Sequence, residues 1–188
     1  MLRITLLTLA CAGMLVTSGC KTVEGSTKPE KQTNVRNMRD EALAELYKAK
    51  PATKDEVAKS VGYAVFTNIG INLFVLASGN GYGCMTDNKT KKVTYMKMRE
   101  VGVGIGMGAK DFHAIFIFTD AAVMKKFVDS GWDFGGEADA AAKSGDSGDA
   151  AAAAASVDGM KIYQLTDAGL ALQATVSGTK YWKDDELN

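Results

Sequence analysis

The 188 residues include one His, at position 113, and three Cys, at 11, 20 and 84, so few side chains can act as nucleophiles, bases or soft metal ligands. A single His excludes multi-His metal sites and leaves His113 as the one imidazole a Ser–His–Asp relay could use. No Gly-x-Ser-x-Gly elbow accompanies it; Ser78-Gly79 and Ser130-Gly131 lack the flanking pattern. His113 falls on the side of Asp111, Ile115 and Ile117 in an apolar run, and is read as a structural or surface residue. Gly104-Ile105-Gly106-Met107-Gly108-Ala109 matches the dinucleotide fingerprint in form. That chemistry needs a helix N-terminus behind the glycines, whereas these alternate inside a strand pattern and precede another strand. Asp133, Glu137, Asp139, Asp146 and Asp149 form an acidic stretch, but only Glu137 and Asp139 alternate as a calcium loop requires. The residues therefore favour a protein that is not an enzyme and has no cofactor or metal. Lys89, Lys91 and Lys92 surround a turn, with Lys97 and Arg99 further along the next strand. Such cations can meet anionic headgroups at about 1 kcal/mol each; the plainer alternative is that they blunt a sheet edge.

The elements that must hold these groups follow from periodicity. Val35, Met38, Ala42 and Leu46 are spaced by three and four, which predicts a helix from Thr33 or Asn34 to about Ala49, stopped by Pro51. Thr53-Lys54-Asp55-Glu56 has the spacing of a capping box opening a second helix through about Ser60. From Gly62 the period becomes two. Tyr63–Phe66, Ile71–Ala77, Val93–Met98, Val101–Gly108 and Phe112–Phe118 read as strands. A helix capped by Thr119 or Asp120 buries Val123, Met124, Phe127 and Val128 and ends at Gly131. Trp132–Phe134, Lys161–Thr166 and Leu170–Val176 are further strands, the last closing the sheet, with a turn at Asp167-Ala168-Gly169. Residues 143–159 are rich in Gly, Asp and Ala and fit helix, loop or strand. A glycine-faced strand such as Val101–Gly108 would let another backbone or a ligand chain approach closely.

Composition bounds the rest. With 22 basic and 22 acidic residues there is no whole-molecule attraction to nucleic acid, and 46 % hydrophobic residues suit a single folded domain. Met1–Cys20 has a positive start at Arg3, a short apolar run from Ile4 to Val16 and small residues before Cys20. That run is too short to span a membrane but suits an export signal. The ending Thr17-Ser18-Gly19-Cys20 resembles the lipobox of bacterial lipoproteins. The resemblance implies removal of residues 1–19 and acylation of Cys20. Lys21, rather than Asp, implies release to the outer membrane, with the domain facing the periplasm. Residues 20–32 are then a lipidated Cys and flexible tether, and 33–188 a single domain. Cys84, left without a partner, is expected in the core.

Several segments together resemble the SYLF domain of bacterial lipoproteins and eukaryotic membrane-trafficking and actin-associated adaptors. They are Ala58–Phe66, Gly79–Gly83, Val101–Gly106, Phe112–Phe118 with the helix after it, Gly135–Ala140, Ile162-Tyr163 and Gly169–Leu172, spread from about Val57 to Trp182. The resemblance implies a non-catalytic, lipid-binding domain and supplies no catalytic residues. The expected fold is α+β: N-terminal helices packed on a curved antiparallel, glycine-rich sheet with one inserted helix. The expected function is that of a membrane-anchored lipoprotein binding anionic phospholipid through Lys89, Lys91, Lys92, Lys97 and Arg99. The alternatives are an envelope interaction module that binds another protein or peptidoglycan and touches lipid only through its acyl anchor, and a hydrolase using Ser, His113 and Asp.

Overall fold

The computed structural model describes residues 23–73, 76–103, 112–134, 155–157, 159–166, 169–170 and 179–188. The signal segment with Cys20, the alternation at 104–108, Glu137 to Asp149, the turn residues Asp167 and Ala168 and the expected closing strand beyond Leu170 lie outside them.

Helix α1 (Lys28–Ala49) begins earlier than its apolar period suggests. Thr27 and Glu30 form a reciprocal capping box: Thr27 Oγ1 accepts from the Glu30 N–H, and Glu30 accepts from the Thr27 N–H at 3.1 Å and the Ser26 N–H at 2.8 Å. Those backbone donors, Ser26 first, hold the Glu30 carboxyl below its usual range. Pro29 in the first turn gives up no needed N–H. The expected tether therefore stops short of residue 28, because the opening turns of α1 need a cap rather than a buried face. Val35, Met38, Ala42, Leu43 and Leu46 then face the sheet. Helix α2 (Thr53–Lys59) follows, but Thr53 does not cap it: its hydroxyl donates to Lys50 O at 2.6 Å, and Ala52 occupies the cap position without a side-chain bond.

The strands are β1 (Gly62–Leu73), β2 (Leu76–Asp87), β3 (Val93–Val103), β4 (Phe112–Phe118), β5 (Trp132–Phe134), β6 (Ala155–Val157), β7 (Met160–Thr166), β8 (Gly169–Leu170) and β9 (Thr179–Lys183). They form one curved antiparallel sheet in the order β5-β9-β3-β2-β1-β4-β7-β6, with β8 beside β7. Three readings of the sequence change. The run Ile71–Ala77 is divided between β1 and β2, which pair as far as Leu73 and Leu76; no Gly, Pro, Asn or Asp between them marks the reversal. Val93 and Val101 belong to one strand rather than two. Thr179–Lys183, not read as a strand, pairs with β3 and fills the place between β3 and β5.

Alternation sends the two faces of the sheet to different helices. On one face Val65, Cys84, Tyr95, Ile115, Ile117 and Tyr163 pack under α1 and α2. On the other, Phe66, Phe116, Phe118, Met96, Met98 and Tyr181 pack under α3 (Ala121–Asp129), which contributes Met124, Phe127 and Val128. As expected, Asp120 caps α3, accepting from the N–H groups of Ala122 and Val123, and Gly131 at φ +73° follows its end. The aromatic rings meet edge to face, Phe66 with Tyr181 at 4.7 Å and Phe116 with Tyr181 at 5.1 Å.

On β2 the glycine alternation serves the protein's own side chains. A Cβ on Gly83 would lie 2.1 Å from Val65 O and 2.5 Å from the Phe66 ring, and one on Gly81 would lie 2.1 Å from Thr67 O and 2.6 Å from Met98 Cγ. Phe66 and Met98 thus take the space that side chains on Gly83 and Gly81 would need. Gly83→Ala is expected to lower stability by about 2–3 kcal/mol, read as a lower urea midpoint at unchanged slope.

Cys84 is fully buried, and burial pushes its thiol up to about 11. In native protein at pH 8 it is expected to resist thiol reagents that label it promptly in denaturant. An unfolded thiol ionises near 9 and the folded one about 11. Unfolding therefore releases a proton in that window, so stability falls as pH rises through it. Cys84→Ala should flatten that fall in alkaline unfolding curves.

Candidate functional site

The tip joining β2 to β3 carries Lys89, Lys91 and Lys92, all exposed. Its backbone is fixed from within. The Asp87 carboxylate accepts from the N–H groups of Lys89 at 2.8 Å and Thr90 at 2.7 Å, and the Lys91 N–H donates to Asp87 O at 2.8 Å. These donors, Thr90 first, hold the Asp87 carboxyl below its ordinary range. The tip is also fixed from outside: the Asn88 amide donates to Val57 O at 2.7 Å, Ser60 O at 3.0 Å and Ser60 Oγ at 3.1 Å, tying the turn to the end of α2. Lys91 has φ +60°, a left-handed conformation costing a lysine about 1–2 kcal/mol relative to glycine. Among the described residues, none of the three ammonium groups enters an ion pair.

Lys97 and Arg99 do not join this cluster. Alternation along β3 places both on the α1 face, beyond the point where α1 crosses the sheet. Lys97 Nζ lies 3.2 Å from Asp184 Oδ1 and 3.9 Å from Glu186 Oε1. Asp184 is buried, so Lys97 compensates a carboxylate that would be costly to leave alone. Arg99 is exposed and stands opposite Lys180, whose ammonium bonds Asp133 at 2.7 Å. The five basic residues grouped by sequence are therefore one cluster of three and two separate side chains.

A groove that sequence reasoning missed lies beside Lys97. It encloses about 350 Å³, lined chiefly by Val23, Lys31, Tyr82, Lys97, Trp182 and Leu187. Tyr82 and Trp182 flank Lys97 on the neighbouring strands. Trp182 is 40 % exposed, the one large apolar side chain so exposed among the described residues. The groove wall is secured from both sides: Gln32 Nε2 donates to Leu187 O at 2.7 Å, Lys28 Nζ to Asn188 O at 2.6 Å, and the Asp184 N–H to Tyr95 O at 3.0 Å. The only advance signal was an aromatic pair, Tyr181-Trp182, inside a charged segment.

His113 shares the face of Ile115 and Ile117, as expected, and that face lies under α1; its partners across the strands are Thr67 and Leu165. Its Nδ1 is buried without a hydrogen-bond partner, beside a cavity of about 550 Å³ lined by Glu45, Lys48, Thr67 and Thr166 among others. No Ser or Asp among the described residues lines that cavity. Glu56, freed from a capping role, accepts from Lys161 Nζ at 3.1 Å and Tyr163 Oη at 3.0 Å. Burial, then the Glu56 carboxylate, push the Tyr163 hydroxyl well above the ordinary phenol range. Among the described residues there is no group of three His, Cys, Asp or Glu able to hold a metal ion, and no helix long and apolar enough to cross a membrane.

No protein-family model matches the chain. It is similar to Beta cell expansion factor A of Aeromonas veronii, at 36 % identity over 162 residues, which cover 86 % of this chain and 60 % of that protein. The chain thus spans about three fifths of the length of the curated relative it matches.

Proposed function

We propose that the chain is a lipid-anchored protein of the bacterial envelope, acylated at Cys20, whose SYLF-like, non-catalytic domain binds anionic phospholipid through Lys89, Lys91 and Lys92. The observation that supports this reading is the strained tip. A lysine occupies a left-handed position that glycine would fill at lower cost, between two more exposed lysines, on a turn pinned to α2. Backbone strain held in place by its surroundings fits a functional turn better than an indifferent one. A rigid tip also loses little backbone freedom when it meets a charged surface. At about 1 kcal/mol per lysine, the three together contribute about 3 kcal/mol, or about a hundredfold in affinity. The effect for which the relative is named belongs to that protein, and the lipid reading does not draw on it.

Residues 21–188 are expected to co-sediment with anionic vesicles, less so as salt rises. Reversing the charges at Lys89, Lys91 and Lys92 should weaken that binding at least about tenfold while leaving neutral vesicles unaffected; undiminished binding would remove the tip as the site. Cys20→Ser should end incorporation of labelled palmitate. Label persisting in the variant would refute the anchor.

A further inference from the structure

We propose that the Trp182 groove is the surface the anchored domain lays against its own bilayer, with the Trp182 and Tyr82 rings at the level of the glycerol backbone. The proposal rests on the reading of Cys20 as the anchor and assigns the bilayer contact to a different surface from the lysine tip.

The first support is reach. Val23 lines the groove and packs against the core under α1, so the fold is already fixed at that residue. Three peptide steps separate it from Cys20, a span of at most about 11 Å when fully extended. Acyl chains on Cys20 would bring the mouth of the groove to the bilayer surface, far closer than a flexible tether of 13 residues would require.

The second support is chemistry. Trp and Tyr favour the boundary between hydrocarbon and headgroups, where an apolar ring and a polar N–H or O–H are both accommodated. Trp182 and Tyr82 stand on either side of Lys97 on one face of three adjacent strands. Charge around the groove nearly cancels: Lys31, Lys97, Arg99 and Lys180 are set against Asp184, Glu186 and Asp133. A contact made here depends on ring burial rather than net charge, so it is indifferent to salt and accepts neutral phospholipid. The lysine tip behaves in the opposite way. The two surfaces are also apart, five residues along β3 or about 17 Å, with α1 crossing between them where Arg36 bonds the Tyr95 hydroxyl and Arg39 bonds Thr86. Mutation can therefore separate them.

The chain has two tryptophans, and Trp132 provides the internal control, because it stacks on Phe127 under α3 on the other face of the sheet. The full chain carrying Trp132→Phe would be purified from membranes and its intact mass measured. It would then be reconstituted in neutral phosphatidylcholine vesicles, with and without bromine on the acyl chains. The expected result is an acylated mass and loss of about half or more of the Trp182 emission in brominated vesicles, equally at low and high salt. Trp182→Phe, which retains Trp132, should show no such loss; the difference between wild type and this variant gives the same quantity should Trp132→Phe disturb the fold. Acylated, vesicle-bound protein with unquenched Trp182 would overturn the groove and leave the anchor standing. Quenched Trp182 on protein without an acyl mass would overturn the anchor and leave the groove. Neither acylation nor quenching would overturn both.

Discussion

Water is excluded from both sides of the β1–β4 pair. Val65, Ile115 and Ile117 point one way, and Ala64, Phe66, Phe116 and Phe118 the other, all of them buried. A sheet with a single apolar face can leave its reverse in water, but one apolar on both faces needs two covers. The need for two covers explains why α1 and α2 precede the sheet and lie on one side while α3 is inserted after β4 on the other. It also explains the glycines of β2, whose missing side chains leave room for Phe66 and Met98 to lie over the backbone. Among the described residues, the covers leave open the basic tip past the end of α2 and the strip of β2, β3 and β9 beyond the start of α1.

Charge is used in two ways on these remaining surfaces. Lys97 is fixed opposite a buried aspartate and Lys180 opposite Asp133, so each compensates a carboxylate already in place. The lysines of the tip hold no such partner among the described residues, and their turn is braced by Asp87 and Asn88 instead. A count of basic residues therefore misleads, because three of the five are free to meet a ligand at one place and the other two are not part of that place.

How much of this was legible depended on how local the cause was. The strand Phe112–Phe118, helix α3 with its Asp120 cap and the basic tip follow from neighbouring residues, and the burial of Cys84 from the count of cysteines; the sequence reading has them. The start of α1 was also written locally, as Thr27-Lys28-Pro29-Glu30, but its opening turns bury little and the apolar period passes over them. Thr53 and Glu56 show the converse: the capping spacing is present, yet Glu56 is taken by Lys161 and Tyr163 from a distant strand. Strand β9 and the groove were the least visible, since Lys97 meets Asp184, and Tyr82 and Trp182 flank Lys97, only after β9 has docked on β3. Sequence spacing carries no trace of such long-range pairings.

The pairing of β3 with β9 also governs the order in which the molecule can come together. The β1–β2 and β2–β3 hairpins join neighbouring stretches of chain and can close early, whereas Arg99 must wait for Lys180 to be synthesised and to return across the sheet. The groove draws one wall from Val23 and Lys31, another from Trp182 to Leu187, and its floor from the strands between. A nascent chain that has released only its first three strands has the tip but no groove. Whatever contact the groove makes is thus withheld until the last strand docks, so the surface itself reports that folding has finished.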